Sequence, residues 1–101
     1  MPAAYLIVQS QITDTARFQA YMAAAPAAVK AFGAEYLVRG GRQVVLEGQW
    51  TPPRLTVLRF PSLEAAQAMY HSPEYTAARA LRDGATALFD MVVVEGVDVA
   101  P

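Results

Sequence analysis

Four stretches of the chain are apolar at almost every position rather than at every second one: Tyr5-Leu6-Ile7-Val8, Tyr36-Leu37-Val38, Leu55-Thr56-Val57-Leu58 and Met91-Val92-Val93-Val94. Each is short, rich in β-branched or aromatic residues and bounded by turn formers, which predicts strands. A strand with one wet face alternates apolar and polar residues, because successive side chains point to opposite sides of the sheet. These do not alternate, so both faces of the sheet are expected to be covered. The two helical segments in the sequence account for one face. A second copy of the chain is the most economical cover for the other, and the expected partner is therefore a homodimer partner.

Composition agrees with that expectation. Hydrophobic residues make up 54% of the 101 positions and charged residues only 17%, a surplus of apolar side chains for so small a body. The length suits one domain over residues 1–101. Net charge is −1 and the eight basic residues form no run, which argues against nucleic-acid binding. No cysteine is present, which removes disulfides, thiolate nucleophiles and thiolate metal sites. The N-terminal apolar run lacks a basic leader and is too short for a signal peptide, and nothing approaches a membrane span. A cytoplasmic protein is expected, with no membrane partner.

The first strand is predicted from about Ala4 to Gln11, and Asp14 offers a carboxylate to the free amides of a starting helix. Phe18, Met22, Ala25, Val29 and Phe32 then fall on one helical face, with Pro26 expected to kink or divide the helix and Gly33 to cap it. Glu35 to Arg39 is the second strand. Gly40-Gly41 breaks it, and Val44-Val45-Leu46 is expected to add a short extra strand ending at Glu47-Gly48. The third strand covers Leu55 to Phe60. Ser62 caps a helix through Leu63, Ala66 and Met69 or Tyr70, and Ser72-Pro73-Glu74 starts another that turns Ala78, Leu81 and Ala85 inward. Leu88 to Val94 is the fourth strand and Asp98 to Pro101 a tail. The order predicts an α+β domain with an antiparallel sheet, the ferredoxin-like split βαβ pattern.

Arg39-Gly40-Gly41, Val45-Leu46-Glu47-Gly48, Phe60-Pro61-Ser62 and Tyr70-His71-Ser72-Pro73-Glu74-Tyr75 resemble the domain-of-unknown-function 1330 family, in order and over roughly Tyr5 to Asp98. The resemblance implies a dimeric α/β barrel, in which two ferredoxin-like subunits set their sheets face to face. Relatives in that superfamily include cofactor-free antibiotic-biosynthesis monooxygenases, haem-degrading enzymes, muconolactone isomerases and stress-responsive dimers. The family carries no established reaction, so the resemblance implies a fold and a pocket position and no catalytic residue.

The residues themselves call for no cofactor. One histidine and no cysteine give poor support to a metal site, and there is no phosphate-binding glycine loop or nucleophile elbow. His71 is the only histidine, the residue type suited to proton transfer near neutral pH, and it lies between two helix starts. It is either a general acid or base at a pocket mouth or an ordinary loop histidine. Arg39 and Glu47 flank the glycine segment. They either present a guanidinium, balanced by a carboxylate, to an anionic or enolic oxygen, or form an ion pair across neighbouring strands. Tyr21, Trp50, Tyr70 and Tyr75 carry polar tips on apolar bodies, suited to an aromatic ligand or to an ordinary core or subunit interface. Two function classes stay open. One is a protein that binds or transforms a small aromatic or enolic molecule in a cleft between sheet and helices, by cofactor-free oxygenase- or isomerase-like chemistry with His71 and Arg39 as catalytic residues. The other is a structural or stress-associated homodimer without catalytic activity.

Overall fold

The computed structural model describes residues 2–97. Its elements are β1 (Ala4–Ile12), α1 (Thr15–Ala31), β2 (Glu35–Arg39), β3 (Arg54–Phe60), α2 (Leu63–Tyr70), α3 (Pro73–Ala80) and β4 (Thr86–Glu95). The strands form one antiparallel sheet in the order β2-β3-β1-β4. This is an α+β fold of the ferredoxin-like type, and the expected tail at Asp98 to Pro101 lies outside the described residues.

The three helices sit on one side of the sheet. Leu6, Val8, Leu58 and Phe60 point into that layer and are buried, where they meet Ala25, Ala28 and Val29 of α1 and Ala66 and Met69 of α2. The alternate residues point the other way. Register places Val57 of β3 and Val92 of β4 on either side of Ile7, and Val38 of β2 beside Val57. An apolar row, Val38-Val57-Ile7-Val92, thus crosses all four strands on the face without helices. Polar pairs border it, with Gln9 Nε2 donating to Asp90 Oδ2 at 3.0 Å on one side and Arg59 on Glu35 at 3.2 Å on the other. The described chain is a slab only 16 Å thick, with a radius of gyration of 14.1 Å. A closed globule of this length has about 13 Å. One side of the sheet's apolar surface is therefore bare in the isolated chain.

Local chemistry explains the helix ends. Asp14 Oδ1 accepts from the Arg17 amide at 3.1 Å. At the other end of α1, the Gly33 amide donates to Lys30 O and the Ala34 amide to Val29 O, a Schellman pair closed by Gly33 at φ 81°. Ser72 joins two helices. Its Oγ accepts from the Tyr75 amide at 3.1 Å and donates to Met69 O at 2.7 Å, so one buried hydroxyl serves the start of α3 and the end of α2.

Three expectations are corrected here. Val44-Val45-Leu46 is not a strand. The outer edge of β2 is free, but Gly40, at φ 73°, turns the chain away after β2 and the segment does not pair there. The segment leaves the sheet as an arm whose Leu46 is 90% exposed. Leu81 does not point inward; it is 44% exposed. Its predicted phase assumed a helix continuing past Ala80, whereas α3 ends there and Leu81 is its C-cap. Pro26 does not divide α1, which runs through it.

Candidate functional site

The Pro26 ring has a consequence one turn upstream. In an α-helix the amide of residue 26 would donate to the carbonyl of residue 22, and proline has no amide hydrogen. Met22 O is therefore left without its helical donor, and the Arg39 Nη2 donates to it at 3.0 Å. Arg39 reaches this side of the sheet because of a bulge. Tyr36 pairs with Leu58, and the register then slips so that Val38 pairs with Val57 and Arg39 with Thr56. The extra residue, Leu37, puts Tyr36 and Arg39 on the same face although they are three apart, and the guanidinium lies 4.6 Å from the Tyr36 ring centroid.

Arg39 thus completes the backbone of α1. The ion pair expected with Glu47 is not formed among the described residues, because Glu47 rides on the exposed arm instead of a neighbouring strand. Arg39→Met is expected to destabilise the fold by about 1 kcal/mol, the scale of a partly exposed charge-assisted hydrogen bond. In a Pro26→Ala background, where residue 26 can donate to Met22 O itself, that cost is expected to fall by at least half. Denaturant unfolding of the four proteins at one concentration measures the coupling; an equal cost in both backgrounds would refute it.

A cleft of about 500 Å³ opens between the α2–α3 corner and strands β1 and β4. Leu6, Met91 and Val93 form its floor. Tyr70 and His71, at the C-terminus of α2, stand on one wall, their rings edge to face at 5.2 Å. Arg79, Arg82 and Phe89 complete it. The Arg82 guanidinium stacks 3.7 Å above the Phe89 ring and lies 5.2 Å from the Tyr21 centroid. Arg79 lies 5.1 Å over Tyr70.

Behind Arg82 is a gap of about 40 Å³, room for about one water. Tyr21, Tyr36, Arg39 and Tyr75 are among its lining residues, and it shares Leu6 and Met91 with the larger cleft. Tyr21 and Tyr75 are hydroxyl to hydroxyl at 2.7 Å. Burial, helped by the neighbouring Tyr75 and only partly opposed by Arg82, pushes the Tyr21 phenol far above its ordinary range. Tyr21 is thus a neutral hydrogen-bonding group rather than a phenolate base.

The residues singled out from the sequence therefore do not share one cleft. Tyr70 and His71 line the large one, Tyr21 and Arg39 the gap behind it. Trp50 lies on the opposite side of the sheet, with Ile7, Leu55 and Val92, in a hollow of about 230 Å³. Its Nε1 donates to Gln43 Oε1 at 2.7 Å, and Gln43 Nε2 to Pro52 O at 3.0 Å, which fastens the arm at its root. Glu47 lines none of these cavities. The single cleft was expected because all these residues sit near glycine, proline or helix breaks; the sheet passes between Trp50 and the others. Arg79, Arg82 and Phe89 escaped sequence reading. Part of the signal was present: Arg79 follows Tyr75 by four residues in α3, on the helix face that carries its buried tyrosine, whereas Arg82 lies beyond the helix end.

A family model described as Domain of unknown function (DUF1330) matches residues 3–97. The chain belongs to the DUF1330 family. Among solved structures, the DUF1330 chain is similar to RPA0582, a protein of unknown function from Rhodopseudomonas palustris, with a TM-score of 0.77 and 14% identity over 97% of this chain and 85% of that one. A dimeric ferredoxin-like protein of unknown function from Thermobifida fusca matches with a TM-score of 0.60 and 14% identity, covering 93% of this chain and 91% of the other. SnoaB, a cofactor-independent oxygenase from Streptomyces nogalater, matches with a TM-score of 0.60 and 10% identity over 100% of this chain and 99% of that one. At such identities the likeness shows the ferredoxin-like fold. No curated protein matches the chain. Among the described residues, no helix is long and apolar enough to cross a membrane, and no three His, Asp or Glu side chains gather as a metal site would require.

Proposed function

We propose that this DUF1330 protein binds a small planar aromatic or enolic molecule in the cleft between the α2–α3 corner and the sheet, and that it works as a homodimer. The cleft itself carries the reading: an apolar floor of Leu6, Met91 and Val93, with His71 and two arginines converging on it, has the make-up of a small-molecule site. His71, whose side chain has no hydrogen-bond partner among the described residues, is the candidate proton carrier. The likeness to a cofactor-independent oxygenase supports chemistry of the proton-transfer or cofactor-free oxygenation kind. The homodimer is supported by the bare apolar row on the sheet and by a relative described as dimeric.

Titrating a set of planar aromatic and enolic fragments into ¹⁵N-labelled protein tests the reading. Binders are expected to move the amide signals of Tyr70, His71, Phe89 and Met91, to weaken several-fold in Tyr70→Ala, and to be unaffected by Trp50→Ala across the sheet. Shifts confined to the Trp50 side, or none, would leave the protein a homodimer without this activity.

A further inference from the structure

Two guanidiniums border the cleft without counter-ions. Among the described residues, the ion pairs are Arg17 with Asp14 and Arg59 with Glu35, both elsewhere. Among the described residues neither Arg79 nor Arg82 is in an ion pair, Arg82 reaches the Tyr21 phenol, and the buried Nε of Arg82 has no partner. The one carboxylate on the cleft, Asp90, belongs to the other face of the sheet, where Gln9 holds it. Each guanidinium lies over a ring, Arg82 3.7 Å from the Phe89 centroid and Arg79 5.1 Å from that of Tyr70. A guanidinium so placed still has its N–H edge to offer, and that edge matches the two oxygens of a carboxylate. Arg79 is exposed and Arg82 half-buried, and both keep N–H groups that an anion in the cleft would engage.

We propose that the occupant of this cleft is an organic carboxylate, its oxygens on the N–H edges of Arg82 and Arg79 and its apolar body on the Leu6-Met91-Val93 floor. The proposal rests on the cleft being a small-molecule site and adds the charge of the ligand. It also moves the anion-recognition role from Arg39, which is engaged with Met22 O, to Arg82.

Benzoate and 2-naphthoate, each paired with its neutral amide, and inorganic phosphate are suitable probes. Their affinities are read by ¹⁵N shift titration at neutral pH. Each carboxylate is expected to bind about tenfold or more tightly than its amide, the scale of a charge-assisted hydrogen bond. That preference is expected to vanish in Arg82→Met and to survive in part in Arg82→Lys, which keeps the charge and serves if the methionine variant does not fold. Equal binding of acid and amide at the cleft would overturn the carboxylate assignment and leave the site standing. Phosphate binding as tightly as 2-naphthoate would overturn it too, since the apolar floor would then contribute nothing. No binding of any probe at the cleft would overturn the assignment together with the site.

Discussion

Ile7→Glu is expected to turn a two-chain protein into a single-chain one while leaving the chain folded. Ile7 stands in the middle of the Val38-Val57-Ile7-Val92 row and points away from the helices, so the core made by Leu6, Val8, Leu58 and Phe60 does not feel the change. Where two copies meet at this row, the new carboxylate sits between Val57 and Val92 of its own sheet and has to be desolvated. Such a burial costs several kcal/mol, so dissociation should rise by about a thousandfold or more. Far-UV circular dichroism should be preserved and the apparent mass halved at micromolar protein. A variant that stays dimeric would mean the sheets do not meet at this row; one that unfolds would mean Ile7 belongs to the chain's own core.

Tyr75→Ala is expected to be the most damaging single truncation on the helix side. Tyr75 is 1% exposed, its ring packs 5.7 Å from Tyr70 and 6.2 Å from Tyr21, and its hydroxyl meets that of Tyr21. Removing a buried aromatic ring costs about 3–5 kcal/mol, through lost transfer energy and the cavity left behind. Tyr75→Phe keeps the ring and removes only the hydroxyl bridge, so it should cost about 1 kcal/mol. Denaturant unfolding at fixed protein concentration separates the two. If the phenylalanine variant were as unstable as the alanine one, the hydroxyl pair rather than the packing would hold α1 against α3. Because Tyr75 also supports Tyr70 on the cleft wall, Tyr75→Ala should weaken cleft binding, whereas Tyr75→Phe should not.

What the sequence discloses depends on the range of the interaction. The strands and caps are written locally: Asp14, Ser62, Ser72 and Gly33 do the jobs their side chains suit, and β2 has the bounds that Glu35 and Arg39 mark out. The extra strand at Val44-Val45-Leu46 fails although the outer edge of β2 is free, because apolar content alone does not fix where a segment pairs. The site is less legible for the same reason. The bulge at Leu37 decides which side of the sheet Arg39 serves, and register slips leave little trace in composition. Proline's missing donor at position 26 is visible in the sequence, but not that the lone carbonyl of Met22 would find its donor on a strand seventeen residues away. Trp50 and His71 both flank loop signals, and only the sheet between them shows that they belong to different surfaces.

The central claim is that the uncovered face of the sheet is the meeting surface of two copies. Light scattering coupled to size exclusion, over a concentration series of the unmodified protein, tests it most directly. Twice the 10.9 kDa chain mass is expected, held down to low micromolar protein. A folded species of one chain mass throughout that range would contradict it.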